Sequence, residues 1–238
     1  GHAIFLGKND IQLGRGETIE DTAIVLSRYV DIIMYRAMKN KDMKELAENA
    51  TVPVISGLDD KEHPCQVITD LMTIKEHKGK LKGLNFVYLG DGANNMANSY
   101  LLGCAIAGMN IKIVSPKKYW PDEYYVSEAK KFGVNVEITN KVEDSTKDAD
   151  VVATDTWVSM GDEEEKEKRL KEFEGYTVNK NLMSKAKPDA IFMHCLPAYY
   201  DYEVTKKVAH GPQSVIFDEA ENRMWAQNAI MIALSKKQ

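Results

Sequence analysis

The sequence has few cysteines and no long apolar run, and each shortage argues against a class of protein. Three cysteines occur among 238 residues, at positions 65, 104 and 195, and no two have C-x-x-C spacing. This odd number argues against a disulfide framework and favours a reducing cytoplasm. No apolar run reaches the roughly 18 residues of a membrane span, and the opening residues lack the basic start of a signal peptide. We therefore predict a cytoplasmic protein without a membrane partner.

The chain also has no excess of basic residues. Its 31 lysines and arginines are outnumbered by 36 aspartates and glutamates, which gives a formal net charge of -5 and a pI near 5.6. A dedicated nucleic-acid binder needs a concentrated basic face to neutralise phosphates, so we expect no nucleic-acid partner. Hydrophobic residues make up 44% of the chain. This content is ample for one large domain or two small ones.

Short apolar runs alternate regularly with helical patterns along the chain. The predicted strands are Ala3–Leu6, Ile32–Tyr35, Val52–Ile55, Asn85–Leu89, Ile111–Val114, Val134–Ile138, Val151–Thr154, Ala190–His194 and Ser214–Phe217. The predicted helices are Ile19–Tyr29, Met43–Glu48, Cys65–His77, Asn95–Ala107, Glu123–Phe132, Asp162–Phe173, Lys180–Ala186, Val204–Ala209 and Ala220–Leu234. Strands separated by helices form βαβ units, so the pattern predicts an α/β fold with parallel sheets.

We predict two doubly wound parallel-sheet domains with a cleft between them. Residues 1–64 are assigned to the first domain, which has only three predicted strands and is incomplete. Residues 65–82 are assigned to a connecting helix, residues 83–219 to the second domain, and residues 220–238 to a C-terminal helix.

The segment 190–197 is the most informative in the chain. A short apolar run is followed by His194 and Cys195 and, two residues later, by Pro197. Because proline cannot donate to a strand ladder, both side chains are expected at the carboxyl end of a buried strand. In open α/β sheets that edge is where ligands bind. For a lone pair of this kind, however, a small buried thiol and a core histidine are the more common explanation.

Three further segments change this interpretation: His63–Gln66, Asp155–Gly161 and Phe217–Arg223. Together with His-Cys-Leu-Pro at 194–197 they resemble the ornithine carbamoyltransferases of the aspartate/ornithine carbamoyltransferase superfamily, over essentially the whole chain. Ser-Met-Gly at 159–161 and His-Cys-Leu-Pro are the specific parts. The resemblance implies carbamoyl transfer from carbamoyl phosphate to the δ-amino group of L-ornithine. It also implies a homotrimer or a multiple of trimers, and a C-terminal helix that packs on the carbamoyl-phosphate domain. We expect no cofactor and no metal.

The amine substrate must lose a proton during this reaction. A δ-amino group has a lysine-like pKa of roughly 10.4, so presenting it neutral at pH 7 costs about 4 kcal/mol. We expect Cys195, beside Asp155, to accept or orient that proton, with the departing phosphate as its final acceptor. A helix N-cap is the structural alternative for Asp155. By resemblance, Asn95 binds the ornithine carboxylate, while Ser159 and Met160 secure the α-amino end together with Asp155.

The phosphate substrate is anionic, and its carbonyl oxygen gains charge as the reaction proceeds. Arg36, at the end of a predicted strand, and Arg223, at the start of the final helix, are the cations expected to stabilise these charges. His63 and Gln66 lie one helical turn apart and are expected to converge on the carbonyl or the carbamoyl amide. A capping turn before the connecting helix is their structural alternative. Leu196 is assigned a substrate contact by resemblance.

Several alternatives remain open at this point. The family's Ser-Thr-Arg-Thr-Arg phosphate signature is absent, so we expect the sequence to begin inside the first domain. A carbamoyltransferase for another amine, such as putrescine or an acylated ornithine, is one alternative, and an inactive binding or assembly subunit is another.

Two further motifs give only weak signals. Gly-Asp-Gly at 90–92 lacks the spacing of a dinucleotide loop. A zinc site from Cys195, His194 and Cys65 lacks dedicated ligand spacing.

Overall fold

The computed structural model describes residues 1–7, 10, 16–158 and 163–235. The chain divides into two compact units, which we call unit 1, Gly1–Asp60 with Ala229–Gln238, and unit 2, Lys61–Asn228. Each unit contains a parallel sheet with helices between its strands, so the predicted α/β class is confirmed. The finer domain boundaries assigned from the sequence stay predictions. No helix among the described residues combines the length and apolarity of a membrane span.

Unit 1 is built around two parallel strands. Its elements are α1 (Ile19–Leu26), β1 (Ile33–Arg36), α2 (Asn40–Asn49) and β2 (Val54–Leu58). Ile33 pairs with Val54, and the register shifts between Tyr35 and Arg36. The core is small, with Ala23, Ile33 and Leu46 at its centre. These residues come from both helices and from β1, so each element of the unit turns one side inward.

The strand predicted at Ala3–Leu6 is wrong. These residues join no strand of the described sheets, and Ile4, Phe5 and Leu6 are 61%, 90% and 43% exposed. An apolar run becomes a strand only where a neighbouring strand accepts its hydrogen bonds and a covering layer buries it. In the described part of unit 1, this segment has neither.

Unit 2 carries a five-stranded sheet of order β5-β4-β3-β6-β7, with every neighbouring pair parallel. Its elements are α3 (Pro64–Lys78), β3 (Asn85–Leu89), α4 (Asn95–Ile106), β4 (Asn110–Val114), α5 (Glu123–Lys130), β5 (Val136–Thr139), β6 (Val151–Thr154), α6 (Lys166–Glu172), α7 (Lys180–Lys185), β7 (Ile191–Met193), α8 (Lys206–Ala209) and the part of α9 (Ile216–Ser235) up to Asn228. The order reverses between β3 and β6, and α/β sheets bind ligands beside such a reversal.

Alternate residues of each strand enter two different cores, one on each face of the sheet. In β3, Phe86 and Tyr88 pack into one cluster with α4 and α5, while Val87 and Leu89 pack into the other. β3, β6 and β7 are buried on both faces, as expected of a parallel sheet with helices on both sides. This double burial explains why these three strands read as apolar runs.

The last strand predicted from the sequence, Ser214–Phe217, is wrong. Ser214 forms an isolated bridge with Phe192, and α9 already begins at Ile216. A short apolar run fits a strand and the first turn of a helix equally well. The C-terminal helix is consequently four residues longer at its start than predicted, and Arg223 lies in its second turn instead of at its beginning. The other predicted elements of unit 2 are present, with ends shifted by a few residues.

Candidate active site

Three strands of unit 2 deliver polar side chains to one edge of the sheet. β3 is followed by the turn leading to Asn94, β6 by Asp155, and β7 by His194 and Cys195. Because these strands are parallel neighbours, their carboxyl ends meet at the same edge, beside the reversal of strand order. The predicted position of His194 and Cys195 at a strand end is confirmed.

Asp155 is the centre of the resulting cluster. Its Oδ1 accepts a hydrogen bond from the Cys195 thiol at 3.2 Å, and its Oδ2 accepts one from Asn94 Nδ2 at 3.2 Å. Asn94 also caps α4, because its Oδ1 accepts from the Ala97 amide at 2.8 Å. Asp155 is 8% exposed. A carboxylate this deeply placed, with polar groups on both oxygens, can hold an ammonium group by charge and by hydrogen bonds.

Burial raises the pKa of the Cys195 thiol well above its ordinary value, and the charges of Asp155, Glu219 and Asp70 raise it further. The thiol therefore stays protonated near neutral pH and donates its hydrogen to Asp155. Of the two roles expected from the sequence, this favours orienting the amine over accepting its proton.

His194 is held inside the protein by two different hydrogen bonds. Its Nδ1 accepts from the Leu196 amide at 2.9 Å, so Nε2 carries the proton and lies 3.2 Å from Glu203 Oε1. Both side chains are almost fully buried. The bond to the amide folds the chain back at Leu196, which has a φ of 56°. Residues with side chains seldom adopt this left-handed conformation, and such outliers cluster at functional sites.

Ligand atoms of Asp155, His194 and Cys195 lie within 4.8 Å of one another, a spacing that a metal ion can bridge. However, both ring nitrogens of His194 are already hydrogen-bonded. A metal ion would have to displace the bond to Glu203 or the bond to the Leu196 amide. The donor set therefore fits the local backbone better than it fits a metal.

The start of α3 brings a second group of polar side chains into unit 2. His63 occupies the N-cap position without a side-chain capping bond, and its amide donates to Ser99 Oγ at 2.7 Å. Gln66 is fully buried one turn later, and its Nε2 donates to Asp70 Oδ1 at 2.8 Å and to Glu219 Oε1 at 3.2 Å. A capping turn therefore accounts for the backbone at His63 but not for the buried amide of Gln66.

Asp70 and Glu219 form a buried pair of acids beneath this group. Burial raises the pKa of Asp70 to about 6, although hydrogen bonds from Tyr100 and Gln66 and the positive charge of Arg223 act in the opposite direction. Burial and the charge of Asp70 raise the pKa of Glu219 well above its ordinary range. Arg223 is half-buried and also opposes the raised pKa of Cys65. A cation is thus placed within reach of the acid pair and of a thiol.

The sequence-predicted residues differ in how far the structure brings them together. Asp155 and Cys195 are in contact, and Gln66 joins the acids that also influence Cys195. Asn95 is half-buried at the first position of α4. Arg36 is exposed at the end of β1 and belongs to unit 1, whereas the cluster belongs to unit 2. Ser159 and Met160 lie outside the described residues.

Several residues of the cluster were not predicted from the sequence: Asn94, Tyr100, Asp70 and Glu219. Asp70 follows Gln66 by four residues on a helix, and Glu219 precedes Arg223 by four. This i, i+4 spacing on both helices was the available signal. Tyr100 had no such signal, because its hydroxyl reaches Asp70 Oδ2 at 2.7 Å from a different helix.

The Gly-Asp-Gly turn after β3 has a structural function. Asp91 Oδ2 accepts a hydrogen bond from Arg169 Nη1 at 2.7 Å, and the same nitrogen donates to the Trp157 carbonyl at 3.1 Å. Arg169 also lies over the ring of Tyr119, at 5.0 Å from its centroid. The turn is therefore tied to α6 by a buried ion pair.

Both halves of the chain match models of protein families. Residues 82–234 match the aspartate/ornithine carbamoyltransferase Asp/Orn binding domain. Residues 1–76 match the carbamoyl-P binding domain of the same family. Asn94, Asp155 and Cys195 fall in the first match, while His63, Gln66 and Asp70 fall in the second.

Individual relatives agree with these matches. The chain is 54% identical to the ornithine carbamoyltransferase of Caldicellulosiruptor saccharolyticus over 98% of its own length and 76% of that protein's length. It is 51% identical to the ornithine carbamoyltransferase of Methanosarcina mazei, over 99% and 78%. The solved structure of the Pyrococcus furiosus ornithine carbamoyltransferase superposes with a TM-score of 0.93 at 50% identity, covering 98% of this chain and 75% of that one.

Proposed function

Because this chain belongs to the aspartate/ornithine carbamoyltransferase family, we propose that it transfers a carbamoyl group from carbamoyl phosphate to the δ-amino group of L-ornithine. The products are citrulline and phosphate. The observation that carries the proposal is the contact of Cys195 and Asn94 with the buried Asp155, at the strand ends where sheets of this order bind ligands.

On the ornithine side, Asp155 is a buried carboxylate that can hold a substrate ammonium group. The Cys195 thiol keeps Asp155 oriented and stays protonated, as its raised pKa requires. Asn95 at the start of α4 binds the substrate carboxylate, and Ser159 and Met160 complete the contact with the α-amino end. The last three assignments rest on the family resemblance.

On the carbamoyl phosphate side, the ornithine nitrogen attacks the carbonyl carbon and forms a new N–C bond. The bond from that carbon to the phosphate oxygen breaks, and phosphate leaves with the amine proton. Arg223 and Arg36 stabilise the phosphate and the carbonyl oxygen. His63, Gln66 and Leu196 hold the carbamoyl group.

We further infer a homotrimer, or a multiple of trimers, in the cytoplasm, acting in arginine metabolism. The three cysteines are present as thiols and not as disulfides, which suits a reducing compartment. Light scattering coupled to gel filtration tests the oligomer, since a mass equal to one or two copies of the chain would contradict a trimer.

Citrulline formation tests the reaction itself. Purified protein is incubated with carbamoyl phosphate and either ornithine, putrescine or N-acetylornithine, and the carbamoylated product is measured. We expect product with ornithine and little with the other amines, because only ornithine carries both a free α-amino group and a carboxylate. A preference for putrescine or N-acetylornithine would replace the proposed substrate. Binding of ornithine without any product would support the inactive-subunit alternative.

A further inference from the structure

The side chain of Asn94 is held at one end by the helix that it caps. Its Oδ1 accepts a hydrogen bond from the Ala97 amide at 2.8 Å, and the residue is only 7% exposed. A reversed side-chain amide would bring two N–H donors face to face at this position, so the cap fixes which way the amide points. The NH2 group consequently faces away from the first turn of α4, toward side chains of β3 and of the segment after β6.

The two hydrogens of this NH2 group have separate acceptors. Asn94 Nδ2 lies 3.2 Å from the Tyr88 hydroxyl oxygen and 3.2 Å from Asp155 Oδ2. Tyr88 belongs to β3, is fully buried, and packs its ring against that of Tyr100, with 5.7 Å between the ring centroids. The hydroxyl is therefore a fixed acceptor, because close packing in a core restricts a ring of this size to one position.

The carboxylate of Asp155 is oriented through both of its oxygens. Oδ1 accepts a hydrogen bond from the Thr156 amide at 2.8 Å and another from the Cys195 thiol at 3.2 Å. Among the described residues, Oδ2 accepts only from Asn94. Because a carboxylate oxygen has two lone pairs, Oδ2 keeps one acceptor site for a further donor. A substrate ammonium group that reaches Asp155 is expected at this oxygen.

We propose that Tyr88 and Asn94 are positioning residues for ornithine: the Tyr88 hydroxyl holds the Asn94 NH2 group, which turns Oδ2 of Asp155 toward the substrate ammonium group. This inference rests on the proposed ornithine binding and deepens it, because it names the oxygen that binds the amine and the residues that orient it. Neither residue has to touch ornithine. Asn94 also sets the start of α4, where Asn95 is the proposed carboxylate contact, so one side chain links the two ends of the amino-acid site.

Tyr88→Phe removes the hydroxyl and keeps the ring. Ornithine binding is measured by calorimetry at a saturating concentration of phosphonoacetamide, a stable analogue of carbamoyl phosphate. The dissociation constant of phosphonoacetamide itself is the internal reference, since a general loss of structure would raise both constants. We expect Tyr88→Phe to weaken ornithine binding about fivefold, the value of one neutral hydrogen bond, and to leave phosphonoacetamide binding within about twofold of wild type.

Asn94→Ser tests whether the hydroxyl acts through Asn94. Serine keeps the helix cap but has no NH2 group, so α4 should be retained while ornithine binding weakens about tenfold, because a donor to a charged carboxylate is lost. In this background Tyr88→Phe should change the ornithine constant by less than about twofold. If Tyr88→Phe does not fold, Asn94→Ser alone must weaken ornithine binding and spare phosphonoacetamide binding, and any other result overturns the inference.

Tyr176→Phe is the matched control. Tyr176 is also a buried tyrosine of unit 2, at 8% exposure, but its hydroxyl donates to the Asn140 carbonyl at 3.1 Å, a backbone group outside the cluster around Asp155. The same single atom is removed, and a hydrogen bond of the same kind is lost. This change should lower the melting temperature and leave both dissociation constants unchanged.

The outcomes separate this inference from the function on which it rests. Unchanged ornithine binding in Tyr88→Phe would overturn the inference and leave carbamoyl transfer standing, as would equal losses of ornithine and phosphonoacetamide binding. Effects of Tyr88→Phe and Asn94→Ser that simply add would have the same consequence. Wild-type protein that binds phosphonoacetamide but not ornithine would contradict ornithine as the substrate, and the inference with it.

Discussion

Unit 2 contains two buried polar networks, one built on an ion pair of opposite charges and the other on two acids. In the first, Arg169 donates to Asp91 at 2.7 Å, and the two side chains are 10% and 3% exposed. In the second, Asp70 is hydrogen-bonded to another acid, Glu219, and to the neutral side chains of Gln66 and Tyr100. The first network pairs a cation with an anion. The second network brings two acids together, and Gln66 Oε1 is a buried acceptor without a hydrogen-bond partner among the described residues.

We propose that the first network is structural and that the second is functional. The Arg169–Asp91 ion pair ties the turn after β3 to α6. A pair of acids lowers stability, since burial disfavours the charged form of each. Here Gln66 donates to both acids, and Arg223 and Cys195 lie within their electrostatic reach. Three substitutions test this division.

Breaking the structural network should have the largest effect. Arg169→Ala leaves Asp91 buried without its cation and should lower the free energy of unfolding by about 3–5 kcal/mol. Urea denaturation followed by circular dichroism measures it. Lys168→Ala is the matched control, because the neighbouring Lys168 pairs with Glu165 on an exposed surface and should contribute little. Equal effects of the two changes would remove the distinction between the networks.

Arg223→Ala should act on the reaction more than on folding. The half-buried guanidinium lies close enough to Asp70 and Cys65 to counteract part of the rise in their pKa values. We propose that it stabilises the charge that develops on the carbamoyl phosphate. One such donor is worth roughly 10²–10³ in rate, so kcat/KM for carbamoyl phosphate should fall by that factor. Arg223→Lys keeps the charge but loses the two-pronged donor, and should recover part of the loss. Steady-state kinetics per folded molecule is the measurement. A lower melting temperature with unchanged kinetics would make Arg223 structural and would favour the inactive-subunit alternative.

The sequence predicted the buried parts of the fold better than the exposed ones. The strands Asn85–Leu89 and Val151–Thr154 are confirmed with the predicted ends, because both faces of the sheet are buried and the apolar run coincides with the strand. Ala3–Leu6 is just as apolar but has no neighbouring strand in the described residues. Local pattern cannot show whether a neighbour exists, and hydrogen bonds between strands depend on one.

The site shows the same limit. Asp155 and Cys195 were predictable because each follows a strand closely, and parallel strands bring their ends together. The two side chains are in contact, with Cys195 Sγ 3.2 Å from Asp155 Oδ1. Glu219 was not predicted, because its i, i+4 spacing from Arg223 does not by itself show that the acid turns inward. Tyr100 and Asp70 are 30 residues apart, and only tertiary packing brings them into contact.

Cys195→Ser tests the hydrogen bond from the thiol to Asp155 and should have the smallest effect of the three substitutions. The thiol donates to Asp155 and stays protonated because its pKa is raised, so it has no proton to lose over the neutral range. Serine keeps a donor but with a shorter side chain, and KM for ornithine should rise about five- to tenfold as the bond to Asp155 weakens. A group whose pKa lies far above the assay range contributes no inflection, so the pH profile between about pH 6 and 8 should keep its shape. If the variant instead loses an inflection in that range, the thiol is the proton acceptor.

Cys104→Ser is the control, since Cys104 is fully buried in the core, and we expect that change to lower stability without altering KM.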